Sequence, residues 1–163
     1  MLTVPPKRSN SDWLREAVSA AALAFACVDV GIHWSIVPER IPVHFDAAGN
    51  PNAWGGKTML LYLLATTVGM VILLTVAETR QRLINIPMKV DRNSPEVRRL
   101  LRSMVITLKS VITISFAWIV DSTMRTALGE APGLGRAFLP IFLCSTFAPL
   151  IYYLVKLHRP PTR

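Results

Sequence analysis

The sequence predicts an all-α integral membrane protein that crosses the bilayer with four helices. Of its 163 residues, 52% are hydrophobic and only 17% are charged, and its mean hydropathy is positive. A helix needs about 20 mainly apolar residues to span a bilayer. Four runs meet this length, at about 14–37, 59–77, 104–123 and 137–155. A soluble bundle would need polar stripes at helical spacing, which the second and fourth runs lack almost entirely.

The placement of the basic residues predicts the orientation of these helices. The net charge is +8, and the other two loops hold only Arg40 with Lys57 and Arg125 with Arg136. Most of the basic residues precede the first run, separate the second from the third, or follow the fourth: Lys7, Arg8 and Arg15; Arg80, Arg82, Lys89, Arg92, Arg98, Arg99 and Arg102; Lys156, Arg159 and Arg163. The positive-inside rule then puts both termini and the basic loop 78–103 in the cytoplasm, and loop 37–57 outside. This explanation needs no nucleic acid, and it leaves an attraction for anionic membrane lipids. We expect residues 1–163 to form one multi-pass membrane domain.

The cysteines and the N-terminus add little chemistry. Cys27 and Cys144 both fall inside apolar runs, so the sequence offers neither a disulfide framework nor a thiolate metal motif. The first run resembles a signal peptide only superficially, because Phe25 is bulky where a cleavage site needs small residues. The run also continues past Cys27 to Val37, which favours a membrane span.

The first predicted helix combines small residues with two ionisable ones. Its alanines permit the close approach of a neighbouring helix: Ala17, Ala20, Ala21, Ala22, Ala24 and Ala26. Asp29 and His33 are four residues apart and therefore share a helix face. A carboxylate inside a span is costly unless it has a partner, which makes Asp29 a candidate functional residue. The alternative is a structural pair with His33, Lys57 or Asp121.

The third helix should begin near Pro95 and continue to about Thr123. The run from Asn93 to Glu96 supplies a cap residue, a first-turn proline and a first-turn acid. Lys109 then lies inside the apolar run, where its side chain either extends to the interface or pairs with Glu78. Neither arrangement implies chemistry at this lysine.

Loop 37–57 is the most patterned segment between the apolar runs. Three prolines and three glycines disfavour regular helix, so we expect an irregular but structured loop. The residue types between them are those that form binding sites: His44, Phe45, Asp46, Trp54 and Lys57. Asp46 also fits a second interpretation, in which it forms the turn that precedes Gly49.

No motif predicts catalysis or a cofactor. The glycines before Lys57 lack the spacing of a phosphate-binding loop, and there is no zinc-protease or paired-cysteine motif. His33 and His44 with Asp29 or Asp46 could bind a metal in principle, but two histidines on that side are few for such a site. We therefore expect no metal, no cofactor and no enzymatic activity.

The segment from Val37 to Lys57, VPERIPVHFDAAGNPNAWGGK, resembles the LPxxIPxHFxxxGxPDxWxxK signature of a bacterial membrane family known as domain of unknown function 1648. That domain also forms the N-terminal part of Sdp-type immunity and signalling proteins. This chain has Val37 in place of the usual leucine and Asn52 in place of an aspartate. A looser similarity extends from about Trp34 to Trp118. The resemblance implies a protein of the bacterial inner membrane, and in the immunity branch one that protects against or senses an exported peptide.

Three functions follow as hypotheses. In the first, the outer loop binds an extracellular peptide through His44, Phe45, Asp46, Trp54 and Lys57, with Asp29, His33 and Asp121 nearby, and the basic loop contacts a cytoplasmic regulator. In the second, the protein is a small ion- or proton-coupled carrier, or an accessory subunit, that uses Asp29, His33, Lys57 and Asp121. The third is a metal-dependent membrane enzyme. The sequence leaves open whether the chain forms a homo-oligomer.

Overall fold

The computed structural model describes residues 7–87 and 89–158, so Arg159 and Arg163 lie outside the described residues. Within these ranges the chain forms four long helices and one β-hairpin: α1 (Asn10–His33), β1 (Arg40–Phe45), β2 (Pro51–Gly56), α2 (Met59–Thr79), a 3-10 turn (Gln81–Leu83), α3 (Pro95–Ala127) and α4 (Phe138–His158). Each long helix is long and apolar enough to cross a membrane, by length and composition. The predicted four-helix membrane fold is confirmed.

The helix boundaries follow local capping chemistry. Ser9 caps α1 by accepting a hydrogen bond from the Asp12 N–H, while the Asp12 carboxylate accepts one from the Ser9 N–H. This reciprocal pair starts α1 at Asn10, four residues before the predicted span. The third helix begins at Pro95 as predicted and continues one turn beyond the predicted Thr123, to Ala127.

Helix α3 lies at the centre of the bundle and packs against α1, α2 and α4. Half of its most apolar stretch is buried, whereas the corresponding stretches of α1, α2 and α4 are 17%, 11% and 6% buried. The other helices direct large apolar side chains such as Ile32, Ile72 and Ile151 outward. Exposed apolar surface of this extent fits contact with lipid chains.

The contact between α1 and α3 uses one stripe of small side chains. Ser19, Ala26 and Val30 are buried on this stripe, and the Ser19 hydroxyl donates to Thr113 Oγ1 at 3.1 Å. Small residues let two helix backbones approach closely, which matters in lipid because apolar attraction between helices is weak there. The expected close packing therefore occurs, but only along this stripe. Ala17, Ala20, Ala21 and Ala24 are exposed.

Loop 37–57 is a β-hairpin, so the prediction of an irregular loop was wrong. The antiparallel register pairs Arg40 with Gly56 and Pro42 with Trp54, and it shifts on either side of His44. Prolines are tolerated here because each strand of a two-stranded sheet has one unpaired edge, and because Pro51 is the first residue of its strand. The prolines and glycines of this segment mark the ends of strands and a shift in register: Pro51 begins β2, Gly56 ends it, and the register shifts directly after Pro42.

The fold has two distinct ends. The hairpin end holds the hairpin, the C-terminus of α3 and the α3–α4 loop, which meets the hairpin where the Leu134 N–H donates to Gly49 O. The basic end holds the N-termini of α1 and α3 and the C-termini of α2 and α4. Ion pairs join Arg8 and Glu16 to Glu78 or Lys109 there.

Enlarging the small stripe on α1 should separate α1 from α3. Ala26→Leu places a larger side chain at a position that is 1% exposed, and we expect a loss of about 1–3 kcal/mol of unfolding free energy. Ala24→Leu is the matched control, because Ala24 is exposed on the same helix. Equilibrium unfolding of the purified protein in detergent measures both. Equal stability of the two variants would contradict the α1–α3 interface.

Candidate functional site

The hairpin is anchored to the bundle through β1. Ile41 is 1% exposed and belongs to a buried apolar cluster with Val37 and Leu60, together with Val120 and Met124 of α3. Pro42 is buried as well. Burial of these side chains removes apolar surface from water and fixes the strand against α3. The hairpin is therefore part of the folded core.

Asp46 forms the turn of the hairpin. Its carboxylate accepts hydrogen bonds from the N–H groups of Asn50 at 2.8 Å and Ala48 at 2.9 Å, and from the Asn50 side-chain amide at 3.2 Å. The Asn50 N–H, followed by the Asn50 amide, lowers the pKa of Asp46 below its usual value, because these bonds stabilise the ionised form. The turn-forming interpretation of Asp46 is confirmed, and its acceptors are engaged in the turn.

The tip of the hairpin docks on the loop between α3 and α4. The Leu134 N–H donates to Gly49 O at 2.8 Å, and the side chain of Leu134 is buried. Gly49 has φ of 81°, and a Cβ there would lie 2.6 Å from Gly135 O. Only glycine combines this backbone conformation with so close a contact. The tip is thus held by the Asp46 carboxylate at the start of the turn and by Leu134 at Gly49.

Lys57 closes the base of the hairpin. Its ammonium forms a 2.7 Å ion pair with Glu39 and lies 5.2 Å from the centroid of the Trp34 ring. The backbone N–H of Lys57 also donates to the backbone carbonyl of Glu39. The ammonium of Lys57 therefore contacts Glu39 and Trp34. The Asp29–Lys57 pair, which the sequence analysis left open, does not form.

The outward face of the hairpin carries His44, Asn52 and Trp54. His44 Nδ1 lies 2.5 Å from Asn52 Oδ1, and both residues are exposed. Because an amide oxygen only accepts, Nδ1 of His44 is the donor in this contact. Trp54 is 44% exposed, and Phe45 is half-buried. These side chains present an aromatic and polar surface on a fixed backbone.

A second group of predicted residues lies at the hairpin end of α1 and α3, where several of its side chains are partly exposed. His33 Nδ1 lies 3.0 Å from Asp29 Oδ1, and Arg125 Nε donates to Asp121 Oδ1 at 2.8 Å. All four residues line one small cavity of about 40 Å³, together with Glu130. The structure therefore brings Asp29, His33 and Asp121 together, and leaves Lys57 with the hairpin.

An apolar groove separates the hairpin from α2. It has a volume of about 220 Å³ and is lined by residues of both elements, including Val43, Phe45, Met59, Tyr62 and Leu63. Sequence reasoning missed this groove, although the apolar Val43 lies within the recognised motif and the aromatic Tyr62 follows it closely. The groove lies beside β1 and shares Phe45 with the predicted site.

The sequence also underestimated a buried charge cluster at the basic end. Lys109, 1% exposed, forms ion pairs with Glu16 at 2.6 Å and Glu78 at 3.3 Å, and its ammonium donates to the Thr75 hydroxyl. Arg8 contacts Glu78 at 2.7 Å, and Arg102 lies 3.5 Å from it. The predicted option of a Lys109–Glu78 pair is confirmed. Glu16 and Arg8 were missed, and a carboxylate near the start of a span was the only signal for Glu16.

In the described ranges, no group of three or more His, Cys, Asp or Glu side chains is placed to hold a metal ion. His33 and His44 belong to the two separate groups described above.

Together these features define a multi-pass, four-helix membrane protein with a β-hairpin built into one end. Residues 21–68 match the model of a family described as Domain of unknown function (DUF1648), which confirms the predicted family for that segment. The matched segment contains the second half of α1, the hairpin and the first half of α2. The looser similarity toward Trp118 lies outside it. No curated protein matches the chain. No solved structure matches it either.

Removing the charge of Lys109 should destabilise the bundle. Lys109→Met leaves the buried Glu78 and the partly buried Glu16 without that cation, and breaking a buried pair typically costs about 3–5 kcal/mol. We expect a loss of this order in equilibrium unfolding in detergent. Lys89→Met, at an exposed position, is the matched control and should change the unfolding free energy by less than about 0.5 kcal/mol.

A compensating change separates charge from shape in this test. Adding Glu16→Gln to Lys109→Met removes one of the two stranded carboxylates, so the double variant should recover part of the lost stability. If the double variant is less stable than Lys109→Met, the ion pair between these residues is not what stabilises the cluster.

Proposed function

We propose that the protein is a membrane receptor whose hairpin binds an exported peptide, in immunity against that peptide or in sensing it. The observation that carries this proposal is the exposed set of His44, Asn52 and Trp54 on a hairpin whose base, strand and tip are all fixed. A fixed binding surface loses little conformational entropy when a ligand binds. Folding alone does not require an exposed Trp54 and an exposed His44 on the same hairpin.

The hairpin also offers a way to bind an extended peptide. Its sheet contains two strands in the part of the chain that the structure describes, so β2 has an edge without a partner strand. An extended peptide can add to such an edge through backbone hydrogen bonds, while side chains give specificity. His44 and Trp54 would supply that specificity. The groove lined by Val43, Phe45 and Tyr62 lies beside β1 instead, and it offers a separate apolar surface next to the hairpin.

The finer parts of the proposal rest on the charge distribution and the family resemblance. The positive-inside rule supports a hairpin outside the cell and a basic loop 78–103 within it. The resemblance to immunity and signalling proteins of the bacterial inner membrane supports a peptide as the ligand. A cytoplasmic regulator would bind the exposed arginines of the basic loop.

Replacing His44 or Trp54 should weaken peptide binding without unfolding the protein. The probes are synthetic ten-residue peptides with alternating apolar and polar residues, and the measurement is their affinity for the protein in nanodiscs. We expect at least one to bind, and His44→Ala and Trp54→Ala to weaken that binding by about tenfold or more, as for aromatic anchors at other interfaces. His158→Ala and Trp13→Ala, at the basic end, are the matched controls.

Two outcomes would overturn this proposal. One is that no peptide of the panel binds the unmodified protein. The other is that the His44 and Trp54 variants bind as tightly as the two controls. Growth of cells that express each variant, in the presence of the peptide that binds, then separates immunity from simple binding. Survival should fall in parallel with affinity if the role is immunity.

A second candidate function is an ion- or proton-coupled carrier. The observation that favours it is the Asp29–His33 pair, which lines a small cavity between α1 and α3 together with Asp121. Ionisable side chains inside a membrane span are costly and often mark ion or proton pathways. Lys57, the fourth residue of this hypothesis, is held by Glu39 and Trp34 at the hairpin base.

A flux measurement tests the carrier. The protein is reconstituted into vesicles that contain a pH-sensitive dye, and proton uptake is followed after a pH step. A carrier should show proton uptake above that of empty vesicles. Asp29→Asn should abolish this uptake, because an amide does not take up and release protons as a carboxylate does. Asp46→Asn is the matched control, since Asp46 lies in the hairpin turn. Uptake equal to that of empty vesicles would end the carrier hypothesis.

A further inference from the structure

A pocket at the basic end has a different character from the apolar groove under the hairpin. Its volume is about 450 Å³, and α1, α3 and α4 each contribute to its wall: Ser11, Arg15, Arg99, Ser103, Pro149 and Tyr152. This volume is in the range of pockets that bind small ligands. The pocket combines guanidinium groups, hydroxyl groups and apolar surface.

Positive charge predominates around this pocket. Arg15 and Arg99 line it, and the ammonium of Lys156 lies 4.8 Å from the centroid of the Tyr152 ring, which also lines it. The carboxylate of Asp12 contacts Arg15 at 3.2 Å. Its oxygens also accept hydrogen bonds from the Ser9 N–H and the Ser103 hydroxyl. The pocket and its margin thus carry three cationic side chains, and the Asp12 carboxylate pairs with one of them, Arg15, which leaves a positive excess that favours an anionic ligand.

The surface next to the pocket is apolar and faces outward. Leu14 of α1 is 64% exposed, and Ile151 and Val155 of α4 are exposed as well. Leu100 and Pro149 add apolar surface inside the pocket. The site thus joins a cationic cavity to two helix faces that suit lipid chains, at the end of the bundle where arginines mark the membrane interface.

We propose that this pocket binds the phosphate head group of an anionic phospholipid. Arg15 and Arg99 would contact the phosphate, since the planar guanidinium donates two parallel hydrogen bonds to such oxygens. The hydroxyl of Ser11 would serve the glycerol or head-group oxygens. The acyl chains would lie on the exposed faces of α1 and α4. This apolar flank selects a lipid over free phosphate, and the proposal is independent of the peptide-binding role.

Native mass spectrometry of the detergent-solubilised protein tests the site. Phosphatidylglycerol and phosphatidylcholine are titrated separately, and the bound lipids are counted. We expect one phosphatidylglycerol to bind more tightly than the rest and more tightly than phosphatidylcholine. Arg99→Gln should weaken that first binding by about tenfold, because it removes a charge-assisted contact. Arg99 is exposed, so this variant should keep the thermal stability of the parent.

The matched control is Arg82→Gln, which removes the same charge from an exposed position at the same end of the bundle but outside the pocket. It should leave the first binding event unchanged. Equal weakening by both variants would overturn the pocket in favour of general attraction to a basic surface. Equal affinity for the two lipids would overturn anionic selectivity. Displacement of the lipid by millimolar inorganic phosphate would overturn the requirement for acyl chains.

Discussion

The fold depends on how the charge of one buried lysine is compensated. Lys109 lies on the central helix α3 and is 1% exposed, so its ammonium has lost almost all contact with solvent. Such a charge is tolerated only when it is paired and hydrogen-bonded. Its partners come from different helices, since Glu16 belongs to α1 and Glu78 to α2. One cation therefore fixes α1 and α2 against α3, and Arg8 and Arg102 balance the second negative charge.

Away from this cluster, the helices contact each other through small side chains, and several buried hydroxyl groups form hydrogen bonds within their own helix. Thr113 and Ser115 donate their hydroxyls to carbonyl groups four residues earlier in α3, so neither hydroxyl proton lacks an acceptor. Thr113 Oγ1 also accepts from Ser19, and its small side chain permits close contact with α1 there. Helix α4 has no such stripe. It packs on α3 through Tyr153 and Leu157, and most of its remaining surface is available to lipid.

The length of the apolar runs was enough to predict the four helices. A helix that crosses a bilayer needs about 20 mainly apolar residues, and soluble folds rarely contain four such runs. The β-hairpin was not predictable in the same way. Its prolines suggested irregular backbone, and only a two-stranded sheet with open edges accommodates them. Local contacts such as the Asp46 turn and the Asp29–His33 pair were predictable because their partners are close in sequence. The Lys57–Glu39 pair and the Glu16–Lys109 pair were missed, because a sequence does not show which side chains meet across a hairpin or between helices.

Helix α3 is the element that contacts both ends of the protein. Its 33 residues extend about 50 Å at 1.5 Å per residue, and the loop that follows it hydrogen-bonds to the tip of the hairpin. Lys109 near its middle and Arg102 closer to its N-terminus hold α1 and α2. The hairpin is connected to both helices, because β1 packs on α3 and the hairpin follows α1 directly. The ion pairs of Lys109 hold α1 and α2 against the middle of α3, while β1 and the α3–α4 loop hold the hairpin at the C-terminal end of the same helix. One helix therefore carries the contacts that fix both the charge cluster and the hairpin.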